Sequence, residues 1–578
     1  MNRFFAANAF SRLIIFLSII LFFPLAKVHC HKQMVIDIVD NFSDKNVNFW
    51  SNIPNEELSK LLVDQMTNEE LFAQILMFGW AGDEPSELLL QWISMRSLGS
   101  VKVYGWGTDN TYQVAKSVDL VQRTAQKCRL QIPLYVATDQ EGGMIRHIKG
   151  HTSDTPGNLA IGAGGFPIDA YYTGFYIAQE LRALGINMNF APTVDIYSNE
   201  DSTVIGPRSF SSNAEHVGIL GNAFAQGTLK AGVIPTAKHF PGHGDTETDS
   251  HGALPKINID EKTLHERELL PFKHLIENNI LAIMSGHLAF PKIKTNGEPA
   301  SLSKYFLQDI LRKQLNYDGL IITDDMMMNG ATIYAGSLSH AVRLAIEAGN
   351  DIIISSTTAK LYEALWTNNL SLMQSSKDFF ETVKKAAQRV ILSKLNYFKG
   401  NNYVPIFPDL KNLDKVLPNK EADIFFTAQA ARSITFEKNK ILPLTTDNEI
   451  FFASQYQSFI LLGTKKFPNA QRFYFNYKMG SNEIQWVTEQ IVKKINTNIP
   501  VAITIANNES AKIAEILLKK GYKIIAIAIT SPSFITSNEY LYNNSSAVIF
   551  AYGTSKYSFN ATIGAIAGDF FPEGKLPL

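Results

Sequence analysis

Residues 233–245 read VIPTAKHFPGHGD, a β-branched apolar run that ends in a cluster of polar residues. Residues 320–325, LIITDD, repeat this arrangement in a shorter form. Helical sequence alternates with such runs, and strands that alternate with helices form a parallel sheet covered by helices. These segments therefore predict an α/β fold in which polar side chains gather where the strands end.

The same unit recurs across residues 55–395, which predicts a closed barrel. Segments such as 170–184 and 214–231 have amphipathic helical sequence and lie between the apolar runs. The predicted strands are 101–104, 134–138, 187–191, 233–238, 281–285, 320–323 and 351–355. Seven units in this length favour a (β/α)8 barrel of the TIM type over an open sheet, although the eighth strand is not evident from the sequence.

A second α/β segment follows the barrel. Residues 375–397 predict a helix, and the loop at 401–418 contains three prolines, which is typical of a linker. Predicted strands at 459–462, 501–505, 524–529 and 547–551 alternate with helices at 483–495 and 510–520. The predicted layout is a signal peptide at 1–30, a catalytic barrel at 31–395, a linker at 396–429 and a smaller doubly wound α/β sandwich at 430–578.

The charge balance argues against a nucleic-acid partner. The 578 residues include 53 basic and 54 acidic side chains, which leaves a formal net charge of −1. Nucleic-acid binding requires a basic excess or a basic stripe. We therefore expect no nucleic acid among the partners.

The N-terminus has the pattern of a secretory signal. Arg3 and Arg12 precede the apolar residues 13–25, a run shorter than the ~20 residues that a membrane-spanning helix needs. We expect an exported protein, periplasmic or secreted, with no stable membrane span after cleavage. An uncleaved anchor and lipidation of Cys30 are the alternatives. Cleavage near Cys30 would leave Cys128 alone, so no disulfide framework is expected.

Polar clusters follow five of the predicted strands. In a (β/α)8 barrel the residues that perform chemistry lie at the C-terminal ends of the strands. The clusters are DQEGG at 139–143, PTVD at 192–195, KHFPGHGD at 238–245, SGH at 285–287 and DD at 324–325. Five clusters on one rim predict that the active site lies there.

The loop at 238–251 is the richest of these clusters, and one interpretation of it is a metal site. His239 and His243 have i, i+4 spacing, and carboxylates lie nearby. Pro241 and Gly242 lie between the two histidines, so a helix that would place both on one face is not expected. We therefore expect no metal.

Two other interpretations explain the polar residues of this loop without a metal ion. Polar side chains such as His243 and Asp245 can tie a long loop together through buried hydrogen bonds. Alternatively, Asp249 orients His251 and raises its basicity, as a carboxylate does for an acid/base histidine. A loop over a barrel mouth suits such a pair.

These segments together resemble the family-3 glycoside hydrolases, and specifically their β-N-acetylglucosaminidase branch, across residues 55–395. The resemblance rests on DQEGG at 139–143, GPRSF at 206–210, KHFPGHGD at 238–245, DSH at 249–251 and ITDDM at 322–326, with a fainter match at 431–435 and 574–577. The Asp-Ser-His element is missing from the rest of the family, where other branches take a glutamate acid/base from the second domain. The resemblance implies that the first domain here carries the whole catalytic set.

The resemblance also implies the role of each residue in a retaining hydrolysis without a cofactor. Asp324 would attack the anomeric carbon and form a covalent glycosyl-enzyme, and His251, paired with Asp249, would serve as acid and then as base. The sugar in the −1 subsite would be held by Asp139, Arg208, Lys238 and His239.

Two details qualify this assignment. Asp325 is the neighbour and rival of Asp324, but side chains alternate along a strand, so only one of the two can reach the sugar. The resemblance selects Asp324, and Asp325 is expected to bond neighbouring loops. After the two glycines at 142–143 the family often has arginines that hold the sugar; here residues 144–147 read MIRH, so that contact is expected to be shifted or lost.

The predicted function is exo-hydrolysis of terminal β-linked N-acetylglucosamine from a short glycan by a monomer. Peptidoglycan fragments are the common substrate of the branch, and chitin oligosaccharides remain open. A β-N-acetylglucosaminide phosphorylase is an alternative, because a histidine acid/base repels phosphate less than a glutamate does. A β-glucosidase and a non-catalytic wall-binding protein are further alternatives, since one fold serves many functions.

Overall fold

The computed structural model describes residues 47–200, 202, 204–246, 254–293 and 297–578. The predicted signal peptide at 1–30 lies outside these residues, and so do Asp249 and His251.

The first domain is a parallel barrel of eight strands, as predicted. Its strands, with a small hairpin of β4 and β5, are β1 (Leu76–Trp80), β2 (Ser100–Val103), β3 (Tyr135–Thr138), β4 (Gln140–Gly142), β5 (Ile145–Arg146), β6 (Met188–Asn189), β7 (Ile234–Phe240), β8 (Ala282–Ser285), β9 (Leu320–Thr323) and β10 (Ile353–Ser355). The barrel order is β10-β1-β2-β3-β6-β7-β8-β9. A bridge between Ile322 and Ile352 closes it, and the Thr323 N–H donates to the Ile352 carbonyl at 2.9 Å.

The strand that the sequence did not reveal is β1, with the sequence LMFGW. All five of its residues are buried. It contains no β-branched residue, and a short apolar run without that enrichment cannot be told from a buried helix segment. Its pairing with β10 on one side and β2 on the other completes the barrel.

Helices surround the barrel and bury its outer face. The α-helices of this domain with seven or more residues are Asn55–Gln65, Asn68–Gln74, Glu87–Arg96, Thr111–Gln126, Asn158–Gly164, Pro167–Ala183, Ala214–Lys230, Leu269–Glu277, Asn329–Ala335, Leu338–Ala348, Ala364–Ser375 and Lys377–Phe398. Two π-helical segments, Leu264–Glu268 and Tyr305–Gln314, complete the set of longer helical elements among the described residues. The last α-helix of the barrel corresponds to the helix predicted at 375–397.

Two asparagines hold the short strand β6 against β3. The Asn187 side-chain oxygen accepts from the Val136 N–H at 2.8 Å, and Asn189 does the same for the Gln140 N–H at 3.0 Å. These bonds satisfy backbone groups that a two-residue strand cannot reach. They also fix the direction in which the chain leaves β3, where one of the predicted polar clusters begins.

The second domain is a six-stranded sheet with helices. Its strands are β11 (Thr435–Asn439), β12 (Phe451–Ser454), β13 (Gln471–Tyr474), β14 (Val501–Ile505), β15 (Ile524–Ala528) and β16 (Ala547–Phe550), in the order β11-β16-β15-β14-β12-β13. All neighbours are parallel except β11, which runs antiparallel to β16. Its helices are Lys420–Ser433, Gln457–Lys466, Ser481–Val492, Asn508–Lys519, Ser533–Thr536, Glu539–Asn544 and Lys556–Ala567. The short helix Leu413–Val416 precedes them, and its Leu413 is buried in the core of the barrel domain.

One predicted strand of this domain was wrong. Residues 459–462 belong to the helix Gln457–Lys466, with Phe459 and Ile460 buried and Leu461 exposed. This one-sided burial suits a helix on a sheet, and the four apolar residues alone could not distinguish the two structures. The pattern missed three strands of this sheet, β11, β12 and β13, and β12 lies just before the misassigned residues.

The two domains are in direct contact. The helix Lys420–Ser433 begins inside the stretch predicted as a linker at 396–429, and its Arg432 binds the buried Asp169 carboxylate at 2.6 Å. The hydroxyls of Tyr197, on a loop at the barrel mouth, and of Ser531 lie 2.6 Å apart. Within the described ranges no helix combines the length and apolarity needed to cross a bilayer.

Candidate active site

The predicted polar residues converge at the C-terminal end of the barrel. Asp139 directly follows β3, Lys238 and His239 lie at the end of β7, and Asp324 directly follows β9. Asp195 lies beyond β6, on the strand's mouth side. Parallel strands bring these positions to one rim, so the fold assembles the cluster from segments far apart in sequence.

Two lysines hold the carboxylate of Asp139. Lys238 Nζ lies 2.6 Å from Oδ1, and Lys102 Nζ lies 2.7 Å from Oδ2. Burial raises the pKa of Asp139, but attraction to Lys102, Lys238 and His147 outweighs it and holds the pKa well below the ordinary value. Asp139 is therefore an anion whose oxygens face fixed positive charges.

A second carboxylate, Glu141, links the same lysine to Arg208. Arg208 donates to it from Nε at 3.0 Å and from Nη2 at 2.8 Å, and Lys238 Nζ lies 2.7 Å from Glu141 Oε1. Burial raises the pKa of Glu141, but the two cations outweigh it and lower the pKa to about 2. This fork orients Arg208 rigidly, because bidentate pairs fix geometry as well as charge.

His239 is oriented by Asp195. The His239 Nδ1 lies 2.6 Å from Asp195 Oδ2, while the other oxygen accepts from the backbone N–H groups of His239 at 3.1 Å and of His243 at 2.8 Å. Burial raises the pKa of Asp195, but its contacts with His239 outweigh this and lower it. With Nδ1 held by a carboxylate, Nε2 is the nitrogen that can meet a ligand.

Asp324 and Asp325 lie in different surroundings. Asp325 Oδ2 accepts from the Tyr104 hydroxyl at 2.9 Å, and Oδ1 accepts from the N–H groups of Met327 at 3.0 Å and Ser356 at 2.9 Å. It bonds neighbouring loops, as expected. The partly exposed Asp324 accepts the Asp325 N–H at 2.7 Å.

The surroundings of Asp324 favour its charged form. Burial raises its pKa, but attraction to His239 and His287, with the Asp325 N–H and Lys102, outweighs this and lowers it. His287 is fixed beside it: Nε2–H donates to the Asp325 carbonyl at 3.0 Å, and Nδ1 lies 2.7 Å from the Ser301 hydroxyl. Asp324 is thus an oriented anion at the C-terminal end of the barrel.

The loop that follows β7 is anchored where the described part of it ends. Asp245 binds Arg267 Nη2 at 2.7 Å, and Arg267 also binds Glu268 at 2.6 Å. Asp245 thus ties the loop through its side chain, as predicted. The prediction was wrong for the His243 side chain, since only its backbone N–H binds Asp195 and its ring nitrogens have no hydrogen-bond partner among the described residues. In the described part of the chain no three His, Cys, Asp or Glu side chains form a group that could hold a metal ion.

The arginine after the two glycines is turned away from these charges. Arg146 donates from Nη2 to the Thr152 carbonyl at 2.6 Å and so closes its own loop. His147 lies nearer the site, with Nδ1 3.7 Å from Asp139 Oδ2. Arg146 thus binds its own loop rather than Asp139, and His147 is the residue of this segment that lies near Asp139.

Four residues of this site were not predicted from the sequence: Lys102, Glu141, Asp195 and Tyr104. Glu141 lies in the DQEGG cluster and Asp195 in the PTVD cluster, so their position after a predicted strand could have indicated that they belong to the site. Lys102 lies inside a buried strand, where an isolated lysine among apolar residues is itself the signal, since buried lysines are almost always paired.

Comparison with known proteins places the barrel in a family. The model of the glycosyl hydrolase family 3 N-terminal domain matches residues 63–392. A β-hexosaminidase A from Pseudoalteromonas piscicida is 34% identical over 326 residues, which cover 51% of this chain and 54% of that protein. A β-hexosaminidase from Methylococcus capsulatus is 37% identical over 243 residues, or 41% of this chain and 72% of that protein.

Solved structures match both domains. A glycoside hydrolase family 3 β-N-acetylglucosaminidase from Paenibacillus sp. str. FPU-7 has a TM-score of 0.78 at 26% identity, covering 89% of this chain and 98% of that one. A β-N-acetylhexosaminidase from Beutenbergia cavernae has a TM-score of 0.53 at 28% identity, covering 57% of this chain. The first of the curated relatives is matched over about half of its length.

Proposed function

Because this chain belongs to glycoside hydrolase family 3, we propose that it is a retaining exo-β-N-acetylglucosaminidase. It removes the terminal β-linked N-acetylglucosamine of a short glycan through a covalent intermediate on Asp324. Both curated relatives described above carry the name β-hexosaminidase, and the Paenibacillus structure is that of a β-N-acetylglucosaminidase.

The observation that carries this proposal is the contrast between the two adjacent aspartates. The Asp325 carboxylate accepts hydrogen bonds from the Tyr104 hydroxyl and from two backbone N–H groups. Asp324 keeps its carboxylate at the barrel mouth, with a pKa lowered by nearby histidines despite burial. A retaining glycosidase needs one such anion to attack the anomeric carbon.

The other polar groups supply what recognition of a sugar requires. Asp139 can accept hydrogen bonds from sugar hydroxyls, and Lys238 and Arg208 can donate them. The Nε2 of His239, whose Nδ1–H faces Asp195, can accept one. Their mutual ion pairs hold these groups in place before the sugar arrives, which lowers the cost of binding. We assign them to the −1 subsite.

The second catalytic group is His251, oriented by Asp249, in this proposal. The imidazolium gives its proton to the glycosidic oxygen as Asp324 forms a bond to the anomeric carbon and the leaving sugar departs. The neutral imidazole then takes a proton from water, whose oxygen attacks the same carbon and frees the Asp324 carboxylate. Two displacements at one carbon retain its configuration.

The proposed substrates are peptidoglycan fragments, met outside the cytoplasm after export. The basic residues and apolar run at the N-terminus support export. Chitin oligosaccharides have the same terminal sugar and linkage and serve as the comparison substrate.

The test is release of 4-nitrophenol from its β-N-acetylglucosaminide and from its β-glucoside, with and without inorganic phosphate. The proposal requires turnover of the first, little of the second, and no acceleration by phosphate. Acceleration with formation of N-acetylglucosamine 1-phosphate would make the enzyme a phosphorylase, and equal turnover of both probes would make it a general β-glucosidase. No turnover of either would leave a binding protein.

His251 has its own test within the same assay. A leaving group as good as 4-nitrophenolate needs no proton, so formation of the glycosyl-enzyme remains fast when the acid/base group is removed. Breakdown of the glycosyl-enzyme by water becomes slow, but a nucleophile that needs no base can replace water. We expect azide to restore turnover of His251→Ala and to form the β-azide of N-acetylglucosamine. Azide should not restore Asp324→Ala in that configuration, which serves as the control.

A further inference from the structure

Strand β2 and the loop that follows it carry three side chains that lie in a row at the barrel mouth. Residues 102–106 read KVYGW, and Lys102, Tyr104 and Trp106 are the alternate positions. Lys102 binds Asp139, and its Nζ lies 4.5 Å from the centre of the Tyr104 ring. Tyr104 binds Asp325, next to the proposed nucleophile.

Trp106 continues this row outward. Its indole is stacked on the Tyr104 ring, with centres 6.1 Å apart and planes 19° from parallel. Tyr104 is only 9% exposed, whereas Trp106 is 69% exposed. One face of a large aromatic ring is therefore presented to solvent at the edge of the site.

The backbone holds this indole in place. The Trp106 carbonyl accepts from the Gly82 N–H at 2.6 Å. The next residue, Gly107, has a φ of +77°, and a Cβ there would lie 2.6 Å from Gly82. The loops after β1 and β2 can approach this closely only because the position is glycine. The exposure of Trp106 thus belongs to a fixed loop.

We propose that Trp106 is the stacking platform for the sugar on the leaving side of the cleaved bond. The proposal rests on the function proposed above and names the part of the substrate that this side chain recognises. An exo-acting site places the terminal sugar innermost, against the buried Asp139 and its lysines. The rest of the glycan must leave toward the rim, where Trp106 lies one ring beyond Tyr104.

A sugar ring is the occupant that this surface fits. Indole offers a broad, rigid apolar face at a low cost in side-chain entropy, and the C–H face of a pyranose is apolar while its edges carry hydroxyls. Lys102 and Asp139 lie behind Tyr104, so the apolar platform is continuous with a polar, hydroxyl-binding pocket. A surface of this kind discriminates between glycans with and without a second sugar.

The experiment compares a substrate that has a leaving sugar with one that lacks it. The assay would measure kcat/KM for chitotriose and for methyl β-N-acetylglucosaminide with four proteins: the parent, Trp106→Ala, Trp106→Phe and Trp486→Ala. Trp486 is the matched control, an exposed tryptophan in the second domain. For Trp106→Ala we expect kcat/KM on chitotriose to fall about tenfold, mainly through KM, and to change by less than about twofold on the methyl glycoside.

The outcomes separate the platform from the activity. Trp106→Phe should lose less on chitotriose than Trp106→Ala, and Trp486→Ala should match the parent on both substrates. Equal losses on both substrates, or no loss on chitotriose, would overturn the platform. If the parent hydrolyses neither substrate, the proposed activity fails; calorimetric binding of chitotriose then decides, and equal affinity of the parent and Trp106→Ala would overturn the platform as well.

Discussion

The backbone N–H of Asp325 donates a 2.7 Å hydrogen bond to the carboxylate of Asp324. The two residues are adjacent in the chain, yet the Asp325 carboxylate is held by Tyr104, Met327 and Ser356. One aspartate therefore builds the site and the other is available to the substrate. The proposed function depends on this difference between the two carboxylates.

Exchange of each aspartate for asparagine tests this difference. Asp324→Asn removes the attacking anion, so we expect kcat to fall by at least ~10³-fold with little change in the melting temperature. Asp325→Asn leaves the anion in place but weakens three hydrogen bonds, so we expect a lower melting temperature and a smaller loss of kcat. Steady-state kinetics and thermal unfolding of both variants give the answer. The reverse ranking of the two kcat losses would make Asp325 the functional group.

Asp195 is expected to act through His239. Asparagine has the same shape but can no longer hold the imidazole Nδ1–H by charge, so the ring loses its fixed orientation. We expect Asp195→Asn to lower kcat/KM about 10- to 100-fold, the size of effect that outer-shell partners of metal-bound histidines have. Kinetics with the 4-nitrophenyl probe measure it. An unchanged kcat/KM in a folded variant would show that the orientation of His239 is unimportant.

Lys102 is expected to matter because it holds the charge of Asp139. Attraction to Lys102 is the first of the forces that lower the Asp139 pKa against burial. In Lys102→Met that pKa rises, so the carboxylate is protonated, and sugar binding lost, at a higher pH than in the parent. We expect a higher KM and an acid limb of kcat/KM displaced to higher pH, while Lys102→Arg should stay closer to the parent. An acid limb identical in the methionine variant and the parent would refute this role.

Glu180 gives the folded protein a pH-dependent weakness away from the catalytic residues. It is buried, accepts from the Ser153 N–H at 2.9 Å and from its hydroxyl at 2.6 Å, and burial raises its pKa to about 7 from the ordinary 4.5. The folded state therefore binds this proton more tightly than the unfolded state. The parent loses the associated stability as the pH rises from about 4.5 through about 7, by up to about 3 kcal/mol.

Glu180→Gln cannot ionise and should lack this loss. We expect the melting temperature of the variant, relative to the parent, to increase between pH 5 and pH 8. Glu266→Gln, a change at a largely exposed side chain, is the control and should keep a constant difference. A constant difference for Glu180→Gln as well would mean that Glu180 does not change its protonation on folding.

The sequence predicted most of the barrel because its strands are buried on both sides. Runs such as 320–323 are short, rich in β-branched residues and followed by polar residues, and these features are visible in the sequence even when the neighbouring strands are unknown. Strand β1 escaped because LMFGW is apolar without being β-branched, and only its pairing with β2 and β10 identifies it. The helix at Gln457–Lys466 was misassigned for the related reason that four apolar residues have no visible period.

The positions of four predicted residues on the rim follow from the strands, whereas their partners could not be read from the sequence. Asp139, Lys238, His239 and Asp324 lie on one rim because the strand ends fix where they emerge. Their ion pairs could not be derived, since Lys102 meets Asp139 across the neighbouring strands β2 and β3, whose register is not evident from the sequence alone. The same holds for the stacking of Trp106 on Tyr104.

The proposed function requires that Asp324 form a covalent bond to the sugar. The direct measurement is mass spectrometry of the protein after reaction with 5-fluoro-β-N-acetylglucosaminyl fluoride, a substrate whose second fluorine slows breakdown of the glycosyl-enzyme. We expect one added sugar per chain, on a peptide that contains Asp324, and none on Asp324→Asn. A label on Asp325 or another residue, or turnover with inversion at the anomeric carbon and no label, would contradict it.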